Sequence, residues 1–193
     1  MKKLLIPLGL LLCVPTVASA DYTVKSGDTL WKISRSNNVA YADLIKYNPQ
    51  ITNANVIKIG DKINLSRDDL IEDILTYAKS LQSVTTYVYG GQNAPYQTDC
   101  SGWTQHIYGK YGVTLPRVSR QQANVGLPVT FRNMQKGDLM FFSSREDKVV
   151  DHVGIYLGNG QWISNLNSKK GVAIYSIWGS WTQQHFLWAQ RVI

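Results

Sequence analysis

The chain has 193 residues, enough for one ordinary domain or for a small one followed by a medium one. A formal charge of +7 suits an anionic polymer, but no basic stripe with interleaved aromatics accompanies it, so nucleic acid is not expected as a partner. With two cysteines and three histidines, and no clustering among them, neither a disulfide framework, a metal site nor another cofactor is expected. The first element in chain order is a leader over residues 1–20. Lys2 and Lys3 precede an apolar run from Leu4 to Val14, and Ala18-Ser19-Ala20 supplies small residues for cleavage. The run is too short to span a bilayer. An exported protein is therefore expected, in the periplasm, in the wall or outside the cell, and without stable membrane insertion once the leader is removed. Cys13 leaves with the leader, so Cys100 becomes the one remaining thiol. A lone exported cysteine is either a small buried hydrophobe or a nucleophile.

Residues 21–65 predict a strand, two helices and a returning strand. Tyr22-Thr23-Val24 is the first strand, and Ser26-Gly27-Asp28-Thr29 a turn whose side chains can cap a helix. Leu30, Trp31 and Ile33 lie on that helix, and the expectation for Trp31 is burial, because so small a unit needs its aromatics inside. A second helix covers Tyr41 to Tyr47, stopped at Asn48-Pro49, and the chain returns through Val56 to Leu65. The stretches "YTVKSGDTLWKIS", "LIKYNP" and "IKIGDKINL" together resemble the LysM module along the whole segment. That resemblance implies binding of N-acetylglucosamine-containing glycan, with contacts expected at Gly27, Asp28, Thr29 and the Val56–Ile59 edge, Ile57 included.

Residues 66–193 form the second predicted unit. Ser66-Arg67-Asp68-Asp69 reads as a helix cap, and Leu70, Ile71, Ile74, Leu75, Ala78 and Leu81 recur at steps of three and four, giving one apolar face. No spacer separates the two units, so contact between them is expected. Tyr87-Val88-Tyr89 ends in the pair Gly90-Gly91, where the chain can turn sharply or be approached closely. Cys100 stands at the start of a helix carrying Trp103, Ile107 and Tyr108. Helix-start N–H groups favour a thiolate there and can hold an oxyanion. Of the histidines, His106 lies too far along that helix to face its start, and His185 is expected at or near the surface. His152 heads the strand Val153–Leu157, where a rigid sheet would position a base.

The run "YVYGG…DCSGW…LPRVS…GDLMFF…HVGIYLGNGQWI" resembles the NlpC/P60 family of peptidoglycan peptidases over residues 73–193. The resemblance implies an α+β chain in which the βααβ LysM module precedes a papain-like domain, its cysteine helix packed on an antiparallel sheet. It implies Cys100 as nucleophile, His152 as base, and a substrate pocket shaped by Tyr87, Asp99, Ser101 and Arg117. Within it, Asp99 would hold the free stem amine and Arg117 a stem carboxylate, with a loop salt bridge as the competing reading for Arg117. The activity implied is hydrolysis of peptide stems in peptidoglycan, at the bond between D-Glu and the diamino acid, by a monomer. Cleavage of the cross-link, transfer or amidase chemistry, and a wall-binding protein without activity are the alternatives. The family's third polar residue falls here on Ser164 or Asn165. A two-residue turn at Asn159-Gly160 puts Asn165 on the face of His152, whereas a three-residue loop puts Ser164 there. Asn165 is the expectation, because its amide oxygen can accept from an imidazole N–H.

Overall fold

The computed structural model describes residues 21–145 and 147–193; the expected leader, with Cys13, lies outside the described residues. The N-terminal part contains β1 (Tyr22–Thr23), α1 (Leu30–Ser36), α2 (Tyr41–Tyr47) and β2 (Lys62–Ile63), with β1 and β2 paired antiparallel. Its core is Val24, Leu30, Ile33, Leu44 and Ile63. Thr29 caps α1 by accepting from the Lys32 N–H. Trp31 overturns the burial expectation, being 59 % exposed. A seven-residue helix buries one stripe, here Leu30, Ile33 and Ser34, and the next position along turns away from it. Arg35, four residues on, stacks its guanidinium over the Trp31 ring at 5.8 Å.

The junction is tight. Ser66 caps α3 (Arg67–Ser80) in a reciprocal box with Asp69, and Asp69 also accepts from the Leu65 N–H. Gly112 lies so close to Pro49 that a Cβ there would meet Pro49 backbone at 2.7 Å, so the two parts touch through main chain as well as through the shared helix start.

Beyond α3 come β3 (Thr86–Tyr87), β4 (Gln92–Asn93), β5 (Gln97–Thr98), α4 (Cys100–Lys110) and α5 (Ser119–Gln122). They are followed by β6 (Leu127–Val129), β7 (Leu139–Phe142), β8 (His152–Gly158), β9 (Gln161–Asn165), β10 (Val172–Ser176), α6 (Ser180–His185) and β11 (Phe186–Arg191). The six-stranded sheet runs in the order β10-β9-β8-β7-β11-β6, with every neighbouring pair antiparallel. A small sheet, β3-β5-β4, stands apart and leads into α4. Both faces of the large sheet are covered, as the unbroken burial of β7 records. Leu139, Phe141, Val153, Ile155 and Ile163 face α3 and α4, while Met140, Phe142, Trp162 and Ile177 form a second core on the far side. Gly154 makes the second core possible, since a Cβ there would meet the Trp162 ring at 2.5 Å.

The β8–β9 hairpin resolves the register question in a way the sequence reading did not anticipate. Asn159 and Gly160, both at positive φ, form a two-residue turn, and Gly158 faces Gln161. The register then shifts between Tyr156 and Gly158, so that Tyr156 faces Trp162 and Ile155 faces Ile163. Turn length and register are therefore separate variables here: a bulge after the short turn slips the pairing by one residue. The slip carries Ser164 to the face of His152 and sends Asn165 to the face of α4.

Candidate active site

Asp99 fixes the start of α4 by accepting from the Gly102 N–H at 2.8 Å, which places Cys100 as the first helical residue. The carboxylate does much more. Its oxygens also accept from the Gly90 N–H, from the Ser101 hydroxyl and from both terminal amino groups of Arg117, at 2.9 and 3.0 Å. Burial works against this charge, but the Arg117 guanidinium and the two N–H groups outweigh it and hold the Asp99 pKa below the usual carboxylate value. Arg117 is committed in turn: it donates to the Gly91 carbonyl and the Ser101 hydroxyl as well. The Gly90-Gly91 pair earns its place twice, since Gly90 sits at φ +70° and a Cβ on Gly91 would meet the Gln97 carbonyl at 2.6 Å.

Cys100 is a free, buried thiol, 5 % exposed. Burial pushes its pKa up to about 12, against the lesser downward pull of the Val153 and Ser101 N–H groups. A resting thiolate at the helix start, expected from the dipole alone, is therefore not favoured. Desolvation in the closed site exceeds what a helix terminus supplies. His152, 6 % exposed, shows the mirror effect: burial lowers its pKa to about 4, against small opposing contributions from Asp151 and Asp99. Burial thus favours the neutral form of both the thiol and the imidazole.

Ser164, not Asn165, touches the imidazole. Its Oγ lies 2.9 Å from His152 Nε2 and 2.7 Å from the Val153 carbonyl oxygen. The carbonyl can only accept, so the single hydroxyl proton goes to it, and Ser164 must accept from Nε2–H. The neutral ring is thereby fixed as the Nε2–H tautomer, with the Nδ1 lone pair available as a base. Asn165 instead donates to the Thr98 carbonyl at 2.8 Å and ties β9 to the segment that enters the cysteine helix. The His152 ring packs against Phe142, Trp162 and Trp181, the last nearly perpendicular at 6.1 Å.

Cys100 and His152 line one cavity of about 840 Å³ together with Tyr87, Asp99, Ser101 and Arg117, so all the pocket residues expected from sequence meet there. Burial, and then the neighbouring Cys100 and Asp99, push the Tyr87 pKa up to about 12, keeping its phenol protonated. Sequence reasoning missed Tyr89, Arg120, Asp151 and Trp181 on the same walls. Only Asp151, adjacent to His152, carried any local signal. His106 accepts from or donates to the Tyr77 hydroxyl at 2.8 Å, away from the cavity walls. His185 is buried against Trp181, more enclosed than expected. Among the described residues, no group of three metal-ligating side chains occurs, and no helix is long and apolar enough to cross a membrane.

The residues picked for glycan contact have other duties in the N-terminal part. Asp28 accepts from the Tyr22 hydroxyl and the Lys25 N–H, Thr29 caps α1, and Gly27 turns the chain at φ +81°. Ile57 packs partly against the core. A depression nearby is lined by Gln50, Ile51, Thr52, Asn53, Val56, Asp61 and Lys62, and of the expected contacts it includes Val56, from the Val56–Ile59 edge.

A cysteine opening a helix, a histidine opening a strand, and that helix packed on the antiparallel sheet the strand belongs to define the papain-like class of fold. The chain belongs to the NlpC/P60 family, whose model matches residues 84–191, and a LysM domain model matches residues 22–66. It is 38 % identical over 89 residues to "Gamma-D-glutamyl-L-lysine dipeptidyl-peptidase" of Bacillus cereus, covering 46 % of this chain and 26 % of that protein. To "Probable endopeptidase YafL" of Escherichia coli it is 31 % identical over 134 residues, covering 67 % and 54 %. The chain thus spans about a quarter to a half of the length of these relatives. Among solved structures, an NlpC/P60 family protein from Bacillus cereus matches with TM-score 0.60 at 28 % identity, over 69 % of this chain and 48 % of the other. The NlpC/p60 domain of the peptidoglycan hydrolase SagA matches with TM-score 0.52 at 27 % identity, over 63 % and 97 %.

Proposed function

We propose that this protein is an exported cysteine endopeptidase that hydrolyses peptide stems of peptidoglycan, delivered to the wall by its LysM module. The bond is the one between D-Glu and the diamino acid, in keeping with the names of the γ-glutamyl-cleaving relatives. Two units, residues 21–65 and 66–193, divide the work of binding and cleavage. The observation that carries the reading is the hydrogen-bond arrangement at His152, which leaves Nδ1 as an unprotonated base lining the same cavity as the thiol of Cys100.

His152 Nδ1 takes the Cys100 proton as sulfur attacks the scissile carbonyl, so the imidazolium forms in the same step as the carbon–sulfur bond. The imidazolium keeps its Nε2–H on Ser164, which orients it without removing the proton. Asp99 takes the Gly102 N–H, which leaves the N–H groups of Cys100 and Ser101 at the helix start for the developing oxyanion. His152 then protonates the departing amine. A thioester to Cys100 remains, and water, activated by the same Nδ1, releases the acid and restores the thiol.

Purified muropeptides digested with the wild type and with Cys100→Ala, followed by mass spectrometry, test this directly. New amines and acids at the D-Glu–diamino acid bond, absent with the variant, are expected. Cleavage at the cross-link alone would replace this reading with the alternative endopeptidase, and no cleavage by the wild type would leave a wall-binding protein.

A further inference from the structure

A stem of the proposed kind carries carboxylates on both sides of the scissile bond, the α-carboxylate of D-Glu and those of the diamino acid. The reader of one of them was expected to be Arg117. A guanidinium has five N–H donors, and four from Arg117 are already placed: two on Asp99, one on Ser101 and one on the Gly91 carbonyl. Only Nε–H is left, so Arg117 cannot offer a carboxylate the two-pronged edge that gives arginine its selectivity. Its role is to hold Asp99, and through it the helix start beneath Cys100.

The cavity has two other arginines. Arg145 has a side chain 76 % exposed and lies 3.9 Å from Asp151, a carboxylate of the same wall that offsets its charge. Arg120 is exposed as well but differs in its partners. Its Nε–H donates to the Val150 carbonyl at 3.1 Å, which orients the guanidinium two residues before His152. Among the described residues it forms no ion pair, and it lines the cavity with Nε as its one anchored nitrogen. Arg120 lies in α5, whose last residue, Gln122, is buried, donates to the Ser101 and Pro116 carbonyls and accepts from the Thr104 hydroxyl, tying the helix to α4.

Resting on the hydrolase reading above, the geometry points to Arg120 as the residue that recognises a stem carboxylate beside the scissile bond and so selects free acid over amidated stems. A terminal N–H pair on an oriented guanidinium binds a carboxylate in bidentate fashion. An amide replaces one acceptor oxygen with a donor that faces the arginine's own donors. The carboxylate comes from D-Glu or from the diamino acid, and the two sources separate experimentally.

Synthetic tripeptide stems are prepared in four forms, with the D-Glu α-carboxyl free or amidated and the third residue's carboxyl free or amidated. For the wild type, amidating one of the two is expected to lower kcat/KM about tenfold or more, and which one identifies the source. Arg120→Gln should lose that preference, slowing the acid stem while leaving the amidated stem nearly unchanged, and Arg120→Lys should recover part of it. The same four stems titrated calorimetrically into Cys100→Ala read recognition without turnover. The inference is overturned if Arg120→Gln keeps the wild-type preference, if it slows all four stems equally, or if the wild type ignores both amidations. A wild type that discriminates by binding yet cuts none of the stems would overturn the hydrolase reading alone.

Discussion

The two halves of the chain hold their functional residues in opposite ways. In the NlpC/P60 half Cys100, His152, Ser164 and Asn165 are all buried, Ser164 holds the His152 ring while Ser164 and Asn165 are themselves held by backbone carbonyls, and the cavity is lined by several distant segments. In the LysM half the corresponding residues lie in turns at the surface, and their hydrogen bonds serve the turn itself, as with Asp28 and Thr29. Chemistry gains from burial, since fixed protein dipoles act more strongly on the charge that develops on the reacting atoms where water is excluded. Glycan binding needs access and shallow shape. The difference predicts that substitutions in the catalytic half change rate and stability together, whereas those in the module change attachment alone.

The largest effect should come from Cys100→Ala, which removes the proposed nucleophile: stem cleavage is expected to fall to the uncatalysed background while sacculus binding persists. Deleting residues 21–65 is the reciprocal test. Turnover of small soluble muropeptides should survive and sacculus binding should drop severalfold. Equal loss of both would mean that the tight junction at Ser66 and Pro49 makes the module part of the catalytic fold.

Next in size is the pair Ser164→Ala and Asn165→Ala. Ser164→Ala frees the ring of its acceptor, so kcat should fall roughly tenfold to a hundredfold with KM little changed. Asn165→Ala takes from the buried Thr98 carbonyl one of its two donors, the Val88 N–H remaining, and stability should fall by about 0.5–1.5 kcal/mol, read as a lower Tm. If Asn165→Ala instead cuts kcat without moving Tm, the assignment of the two residues is reversed.

Protons provide a third measurement. His152 is held near 4 in the folded chain against an ordinary 6.5, so the unfolded chain takes up a proton first as pH falls. Stability from this residue is whole above about 6.5 and is lost progressively down to about 4, by roughly 3 kcal/mol. The thiol acts at the other end: with its pKa raised from 9 to about 12, stability drops as pH rises through that interval. Denaturation followed at pH 7, 5.5 and 4.5 should show the acid loss, and His152→Phe should flatten it. An unchanged slope in that variant would place the acid sensitivity elsewhere.

How much of this was legible beforehand depends on how local the cause is. The cap at Asp99, the capping box at Ser66 and Asp69, the glycine pair and the strand opened by His152 are all written within a few consecutive residues, and the chain folds as they direct. The Ser164 contact was not legible, because a bulge near Leu157 shifts the pairing and nothing in "YLGNGQW" separates a plain two-residue turn from one followed by a bulge. Trp181 and Arg120 reach the cavity through tertiary packing, from a helix near the C-terminus and from α5, which Gln122 ties to α4. The resting charge of Cys100 escaped for a related reason: a helix start is visible in sequence, but the burial that outweighs its dipole is not.

The smallest expected effect sharpens the comparison most. Trp31 is large, aromatic and central to α1, yet it projects into solvent with only Arg35 laid across it. Its removal leaves no cavity, and the lost ring–guanidinium contact is worth about 0.5–1 kcal/mol at an exposed site. Trp31→Ala should therefore shift Tm by a degree or two, whereas Ile33→Ala, two positions on and fully buried, should cost about 2–5 kcal/mol. An exposed indole also offers a flat apolar face to a sugar ring, so sacculus binding by Trp31→Ala should weaken severalfold although the fold is intact. If binding is unchanged, the glycan lies along the depression at Gln50 to Val56, and Gln50→Ala with Asn53→Ala should then carry the loss. If Tm falls as far as for Ile33→Ala, the ring is part of the module's core, and the contrast between a buried catalytic half and an exposed binding half no longer holds at this position.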